Sequence, residues 1–491
     1  MPSPARTTLL CTAIALISTA PAHAETLREA LAAAYENNPT LTAARAGQRA
    51  TDENVPIVRS SGLPRAGATG DYTEVVDGSS SSALSPDRSI GVQAQIAIPV
   101  YSGGTVRNGV RAAESRVEAG QADLRAVEAA VFADVVAAYM DVLRDEAVVT
   151  LNSNNVEVLG VNLQATQDRF DIGDLTRTDV AQSQARLALA QGQLRAAEAR
   201  LIGSRETYIR LVGHAPDKLE TPPALPGMPS TTDGAVEVAL AENADLESAQ
   251  INSRAVGYDV RAARGARLPQ VSIVGGGGYS NYLGSLGTSG TSQSQTNATA
   301  GLSLTLPLYQ GGAPAARVRQ AQARQSQAME AVIGTERAVI AQTRAAYASW
   351  RAANSVIDTA QVAVDANRLS LEGVRAENSV GTRSILDILN AEQELLNAQV
   401  QLVTARRDAY VAGFTLLAAM GRAEAEDLQL VVPGQMYDPD VNYQRVRRSW
   451  SDWNDDPAPQ PVASRTVTAP AQTAAVTNSA MQPAAVPVRS Q

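Results

Sequence analysis

The chain contains two copies of one unit, and this duplication restricts its possible folds more than any other feature. Pro99-Val100-Tyr101-Ser102-Gly103-Gly104 recurs 208 residues on as Pro307-Leu308-Tyr309-Gln310-Gly311-Gly312. The same offset carries Gly173 onto Gly381 and Asp179 onto Asp387. Upstream the offset is 205: Asn38 matches Asn243, Leu41 matches Leu246, and Leu63-Pro64 matches Leu268-Pro269. Self-similarity at a fixed offset marks a repeated supersecondary unit, and the three-residue change fits a difference in hairpin-loop length. The repeats are read as 25–212 and 233–432. A linker at 213–232, with five prolines, separates them, and a polar Pro/Ala/Thr-rich tail follows at 433–491. That tail is expected to be largely disordered, apart from a basic-aromatic island at 445–453, read either as packing on its own protein or as binding a partner or peptidoglycan.

Each repeat reads as helix, strand, loop, strand, long helix, turn, helix. The stretch from residue 25 to about 60 is Ala-rich and helical. A Gly/Ser loop at 77–85 then divides two strands. In the second strand Ile90, Val92, Ala94, Ile96 and Ile98 alternate with Ser89, Gly91, Gln93, Gln95 and Ala97. The later copy alternates Ala300, Leu302, Leu304, Leu306 and Leu308 with Thr299, Gly301, Ser303 and Thr305. This period of two predicts strands with one apolar face. The partner strands, at 65–76 and 270–283, are Gly-rich and weaker.

After each Gly-Gly pair the sequence runs almost free of proline and glycine over Thr105–Asp171 and Ala313–Ser379. A helix that long spans about 100 Å at ~1.5 Å per residue. Pro314 falls in a first turn, where proline is tolerated. Gly173 and Gly381 end the long helices at turns that need positive φ. The return helices carry coiled-coil spacing: Leu386, Leu389, Gln393, Leu396, Val400 and Val403 in one, Val180, Leu187, Leu194 and Leu201 in the other. Aromatic residues make up only 4% of the chain, and the abundant alanine suits closely packed helices.

Composition excludes several functions. Arg6, the apolar run 9–17 and Ala22-His23-Ala24 form the pattern of a signal peptide over 1–24, so the mature chain is expected to be exported. Cys11 is the only cysteine and leaves with that segment, which removes disulfides and thiolate metal sites. His214 is then the only histidine, in the Pro-rich linker. No metal, cofactor or phosphate-cradling motif is present; 275–278 is a glycine run inside a strand. The net charge of −9, without a basic block, does not suggest a nucleic-acid partner. After residue 24 there is no apolar run of transmembrane-helix length, so a membrane role has to use strands. Strands of about 10–12 residues match a bilayer crossing. Four of them cannot seal a wide barrel alone, and oligomerisation would close it.

With these features assembled, the sequence resembles the TolC family of outer-membrane efflux and secretion channels over about residues 25–430. The most specific stretch is Ser379-Val380-Gly381-Thr382-Arg383-Ser384-Ile385-Leu386-Asp387-Ile388-Leu389-Asn390-Ala391. Its first-repeat counterpart is Asp171-Ile172-Gly173-Asp174-Leu175-Thr176-Arg177-Thr178-Asp179-Val180. The resemblance implies a mixed α/β membrane protein. It would be a homotrimer with a 12-stranded β-barrel, four strands per chain, continuous with a coiled-coil helical barrel. It also implies an outer-membrane location reaching into the periplasm, a passive export role in multidrug efflux or type I protein secretion, and no catalysis. The implied partners are outer-membrane lipid, a periplasmic adaptor and an inner-membrane pump or ABC transporter.

The resemblance assigns Arg383, Thr178 and Asp179 to a gate network, and Asp387 and Asn390 to the pore constriction. Gly173 and Gly381 mark the tip turns, and Pro99, Gly103, Gly104, Pro307, Gly311 and Gly312 the barrel-to-helix junctions. Asn390 stands where the family member used for comparison has a second aspartate, and Asn378 where it has a tyrosine, so the carboxylate ring is expected to be thinner. A structural or adhesive coiled-coil envelope protein accounts for the long helices and for export, but not for lipid-length alternating strands.

Overall fold

The computed structural model describes residues 24–77, 86–286, 290, 292–430 and 436–476. The signal-peptide reading and nearly all of the 77–85 loop fall outside them. Each repeat opens with short helices. In the first these are α1 (Leu27–Asn37), α2 (Pro39–Asp52) and α3 (Asn54–Ser60). The single helix expected over this stretch is therefore interrupted. Asn38 takes extended backbone, and its Oδ1 accepts from the Thr40 and Leu41 amides, starting α2 with proline at its first position. The hairpin β1 (Arg65–Glu74) and β2 (Arg88–Tyr101), the long α4 (Thr105–Asp171) and the return helix α5 (Arg177–Val212) follow.

The second repeat has the same order: α6 (Thr232–Glu242), α7 (Ala244–Gly265), β3 (Gln270–Asn281), β4 (Ser294–Thr305), α8 (Ala313–Ser379) and α9 (Ile385–Ala419). Both long helices have 67 residues, and their limits are those expected from the proline- and glycine-poor runs. Repeat equivalence extends to single side chains. Asn38 Nδ2 donates to the Leu211 carbonyl at 2.9 Å, and Asn243 Nδ2 donates to the Ala419 carbonyl at 3.1 Å. Each asparagine starts a helix and ties it to the end of that repeat's return helix.

The four strands form one antiparallel sheet in the order β1-β2-β3-β4. Arg65 pairs with Ala97 in the first hairpin and Gln270 with Thr305 in the second. These pairs are related by offsets of 205 and 208, so both hairpins share one register and the extra residues lie in the second loop. Strand β4 ends at Thr305, so Leu306 and Leu308 lie beyond it, contrary to the alternation that included them. Pro307 has no amide to donate to a ladder. At the junctions Gly103, Gly104, Gly311 and Gly312 all have positive φ, the conformation glycine adopts without steric cost. A Cβ on Gly103 would lie 2.3 Å from the Gly265 carbonyl, whereas one on Gly311 would meet nothing within 4 Å.

The main core lies around the middle of α4. Phe132, Tyr139, Leu143 and Met140 pack there with Tyr35, Leu41, Leu201, Tyr208 and Phe414. The linker crosses this level. Leu219 is buried, and Glu25 bonds to the backbone on either side of it: Glu25 N donates to Lys218 O at 2.7 Å, and Glu220 N donates to Glu25 O at 3.0 Å. The Tyr139 hydroxyl lies 2.8 and 2.7 Å from the Glu25 and Glu220 carbonyl oxygens. Helix α8, by contrast, buries few residues along its whole length. Of the return-helix seams, Leu201, Leu389, Leu396 and Val403 are buried and Leu386 is exposed.

The tail departs from the expected disorder where the structure describes it. Pro439–Val446 forms α10, which packs on α2. Further on, Arg205 donates to the Thr473 carbonyl at 2.6 Å and the Ala475 carbonyl at 3.0 Å while holding the buried Glu146 at 2.6 Å. A buried guanidinium needs these acceptors, which explains why so polar a segment is fixed.

Repeat 2 closes on α4 through a charged cluster. Arg125 reaches Glu247 at 2.5 Å and Glu424 at 3.7 Å, and Glu128 accepts from the Ala425 amide at 2.6 Å. Burial, with Asp427, Glu128 and Glu247 close by, pushes the Glu424 carboxyl up to about 7 against the pull of Arg125. A raised carboxyl favours the fold below its unfolded value near 4.5 and loses that contribution as pH rises to about 7. Glu424→Gln should therefore be more stable than the wild type at pH 8, by about 1–3 kcal/mol. The difference should vanish below about pH 4.5, as read by thermal unfolding in detergent.

Candidate functional site

The sheet has two chemically distinct faces. Side chains alternate along a strand, and directly paired residues share a face. The pairings place Ile90, Val92, Ala94, Ile96 and Ile98 of β2 with Tyr72, Ala68 and Ala66 of β1 and with Val271, Ile273 and Tyr279 of β3. Ala298, Ala300, Leu302 and Leu304 of β4 complete that face. The opposite face carries Asp71, Thr69, Gln93, Gln95, Ser272, Ser280, Asn297, Thr299 and Ser303. The apolar side chains stay solvent-exposed within one chain, Leu302 at 70% and Leu304 at 64%. Among the described residues nothing covers Leu302 and Leu304, unlike the inner face of a soluble sandwich.

Tyrosines bracket the apolar face, Tyr72 and Tyr279 towards one end and Tyr101 at the other. From Val92, which pairs with Tyr279, to Tyr101 is about 30 Å along the strand at ~3.3 Å per residue. A tilt of ~35–45° would reduce this to roughly the 25 Å apolar band of barrels in outer membranes. Among the described residues no helix is long and apolar enough to cross a membrane, and none of the Asp, Glu, His and Cys clusters could hold a metal.

At the far ends of the long helices the two tips are built alike. Gly173 and Gly381 have φ of 82° and 79°. The Asp174 amide bonds back to the Arg169 carbonyl at 2.9 Å, and the Thr382 amide to the Glu377 carbonyl at 3.0 Å. Each return helix then starts with a capping box. Asp179 accepts from the Thr176 amide at 2.9 Å and hydroxyl at 2.7 Å; Asp387 accepts from the Ser384 amide at 3.0 Å and hydroxyl at 2.7 Å. These bonds hold both carboxyls below the ordinary aspartate range, so both carry charge at neutral pH.

Within the chain Arg383 does not reach Thr178 or Asp179 among the described contacts. Its Nε donates to Glu377 at 2.7 Å, across its own turn. Arg169 and Asp174 close the other tip in the same way at 2.7 Å. Asn378 Nδ2 donates to the Arg383 carbonyl at 2.7 Å and braces the turn. Asn390 is not isolated: Arg186 of α5 donates to its Oδ1 at 2.7 Å, linking the two repeats.

A residue that sequence reasoning missed lies just behind. Glu392 is almost fully buried, and its carboxylate accepts from Asn162 of α4 at 3.0 Å and from Arg375 of α8 at 3.0 Å. Leu159, Ala190 and Leu389 pack alongside. A single glutamate beside an alternating leucine seam carries no local sequence signal, because its partners are far along the chain.

A sheet apolar on one side and polar on the other, feeding directly into paired helices about 100 Å long, defines a membrane-wall channel protein. The sequence profile of the outer membrane efflux proteins matches residues 30–214 and 235–422, one span per repeat, and the chain belongs to that family. It is 33% identical to the outer membrane efflux protein BepC of Brucella suis, over 87% of this chain and 91% of that one. It is 26% identical to the outer membrane protein TolC of Vibrio cholerae, over 84% and 94%. The crystal structure of the Campylobacter jejuni CmeC outer membrane channel superposes with a TM-score of 0.71 at 19% identity, covering 86% of this chain and 89% of that one. The protein is accordingly an outer-membrane export channel component reaching into the periplasm, and not an enzyme.

Replacing Glu392 by alanine strands Arg375 and Asn162 without their acceptor. Leaving such groups unpaired costs about 1–3 kcal/mol. Glu392→Ala should therefore speed amide exchange in the last turns of α4 and α8 while the core around Tyr139 keeps its protection, as read by hydrogen–deuterium exchange.

Proposed function

We propose that three copies of the chain close a 12-stranded barrel continuous with a 12-helix tunnel. This assembly is a passive exit duct that receives cargo from a periplasmic adaptor and an inner-membrane pump or ABC transporter. The observation that carries the reading is the two-faced sheet with open edges on β1 and β4. Unpaired edges are not tolerated in hydrocarbon, and a second copy offers the matching edge. A purely structural coiled coil has no use for such a sheet.

The repeat supplies the geometry of closure. Within one chain β2 of the first repeat pairs with β3 of the second, with Ile96 opposite Gly275. Carried by the two offsets onto neighbouring copies, that pair becomes Leu304 of β4 opposite Gly70 of β1. Likewise the close approach of Gly103 to Gly265 becomes an approach of Gly311 to Ser60 of the next copy, which accounts for positive φ at Gly311 despite open space around it. The exposed length of α8 is then the face that meets the neighbour's α2 and α3.

The sequence has no cysteine after Cys11, so a Leu304→Cys, Gly70→Cys double variant tests the register cleanly. On oxidation in outer-membrane fractions it should give a ladder of crosslinked dimer and trimer on non-reducing gels, and neither single variant should give trimer. A double variant that stays monomeric under those conditions argues against this closure.

At the periplasmic entrance the Arg383–Glu377 pair is solvent-exposed, and an exposed ion pair is readily exchanged for another. In the closed assembly Arg383 turns to Thr178 and Asp179, and the charged Asp387 side chains converge with Asn390 as a cation-favouring constriction. Arg383→Ser should then raise single-channel conductance in planar bilayers; unchanged conductance removes the gate role.

A further inference from the structure

The tail beyond residue 422 lies outside the family match, yet it carries two of the chain's three tryptophans. Trp450 and Trp453 are 84% and 93% exposed, although the helix before them is firmly seated. Helix α10 runs along α4 towards the barrel. At its start Gln121 donates to Asp440 at 2.8 Å. In its middle Asn442 donates to Asp52 at 2.7 Å, and Tyr443 packs against the cluster of Val55, Ala113 and Val117. At its end Arg59 donates to the Arg447 carbonyl at 3.0 Å. Arg59 is six residues before the first residue of β1, and Ala113 is eight residues beyond the start of α4.

The chain then turns back, and Asp456 returns to Arg445 at 2.8 and 2.9 Å. The closed loop 448–455 therefore projects from the barrel end of α10 with both tryptophans on it. Three residues of extended chain span about 10 Å, enough to bring the rings level with the lower rim of the barrel. There Val100, Tyr101, Leu308 and Tyr309 are also exposed.

Tryptophan favours the water–hydrocarbon boundary, where its ring is partly buried and its N–H stays hydrated. Charge contributes little. Between 445 and 456 three arginines (Arg445, Arg447, Arg448) face three aspartates (Asp452, Asp455, Asp456), and Arg447 lies over the Tyr443 ring.

We propose that the 448–455 loop is an interfacial anchor whose Trp450 and Trp453 insert among phospholipid headgroups of the outer membrane's periplasmic leaflet, beside the barrel rim. The anchor fixes the depth at which the helices hang below the membrane. It rests on the reading of the sheet as the membrane-spanning wall.

The test uses the full-length protein in vesicles of phosphatidylethanolamine and phosphatidylglycerol, with acyl chains brominated near the headgroup or left plain. Bromolipid should quench about two-thirds of the wild-type tryptophan emission, the share of two rings among three. Trp450→Ala, Trp453→Ala protein should retain only the emission of Trp350, which packs against Tyr347, with little quenching. A Trp450→Phe, Trp453→Phe variant gives the same readout should the alanine form fail to insert.

Equal fractional quenching in wild type and double variant overturns the anchor. So does wild-type emission shielded from both bromolipid and aqueous acrylamide, which would mean that a second copy covers the rings. Emission that responds to added peptidoglycan sacculi and not to bromolipid overturns it as well. Conductance measured in the same vesicles separates the two readings: conducting channels without quenching reject the anchor alone, and vesicles that never conduct reject the wall.

Discussion

Among the described residues, the outer edges of β1 and β4 carry a row of backbone N–H and C=O groups that no further strand pairs. In water such an edge is a hazard; in hydrocarbon each unpaired group costs several kcal/mol. Much of the architecture bears on this constraint. Four strands are too few to curl shut, so the sheet stays open and both its faces remain exposed. The two repeats make the β2–β3 seam a template for the seam that a second copy would complete, and the junction glycines repeat the geometry of that seam below the sheet.

The duplication and the lengths of the elements were legible because they depend on local rules. A run with almost no proline or glycine propagates as helix, and a glycine of positive φ ends it, so Thr105–Asp171 and Ala313–Ser379 could be delimited from sequence alone. Alternation gave the strand faces for the same reason. Breaks set by capping were harder to see. Asn38 followed by Pro39 stops one helix and starts another, a signal present in the sequence but masked by the alanine-rich surroundings. Leu306 and Leu308 continued the alternation, but Pro307 interrupted the ladder.

The tips show the opposite kind of difficulty. Thr176 with Asp179, and Ser384 with Asp387, have capping-box spacing. The resemblance drew attention to the two carboxylates as gate and constriction residues, yet in the chain each first does the work of starting its helix. The two roles are compatible. A carboxylate whose charge is stabilised by a helix start is fixed in position and stays ionised, as a constriction ring requires. Contacts between distant elements, such as Glu392 with Asn162 and Arg375, or Arg205 with the tail carbonyls, have no sequence signature, because they exist only once the helices are side by side.

The two repeats share a plan but not a degree of confinement. Helix α4 runs through the densest packing, clamped by the short helices, the linker and the tail, whereas α8 is covered on few sides. One half of the gene product is thus largely finished within its own chain, whereas the other is left to be finished by whatever packs along α8.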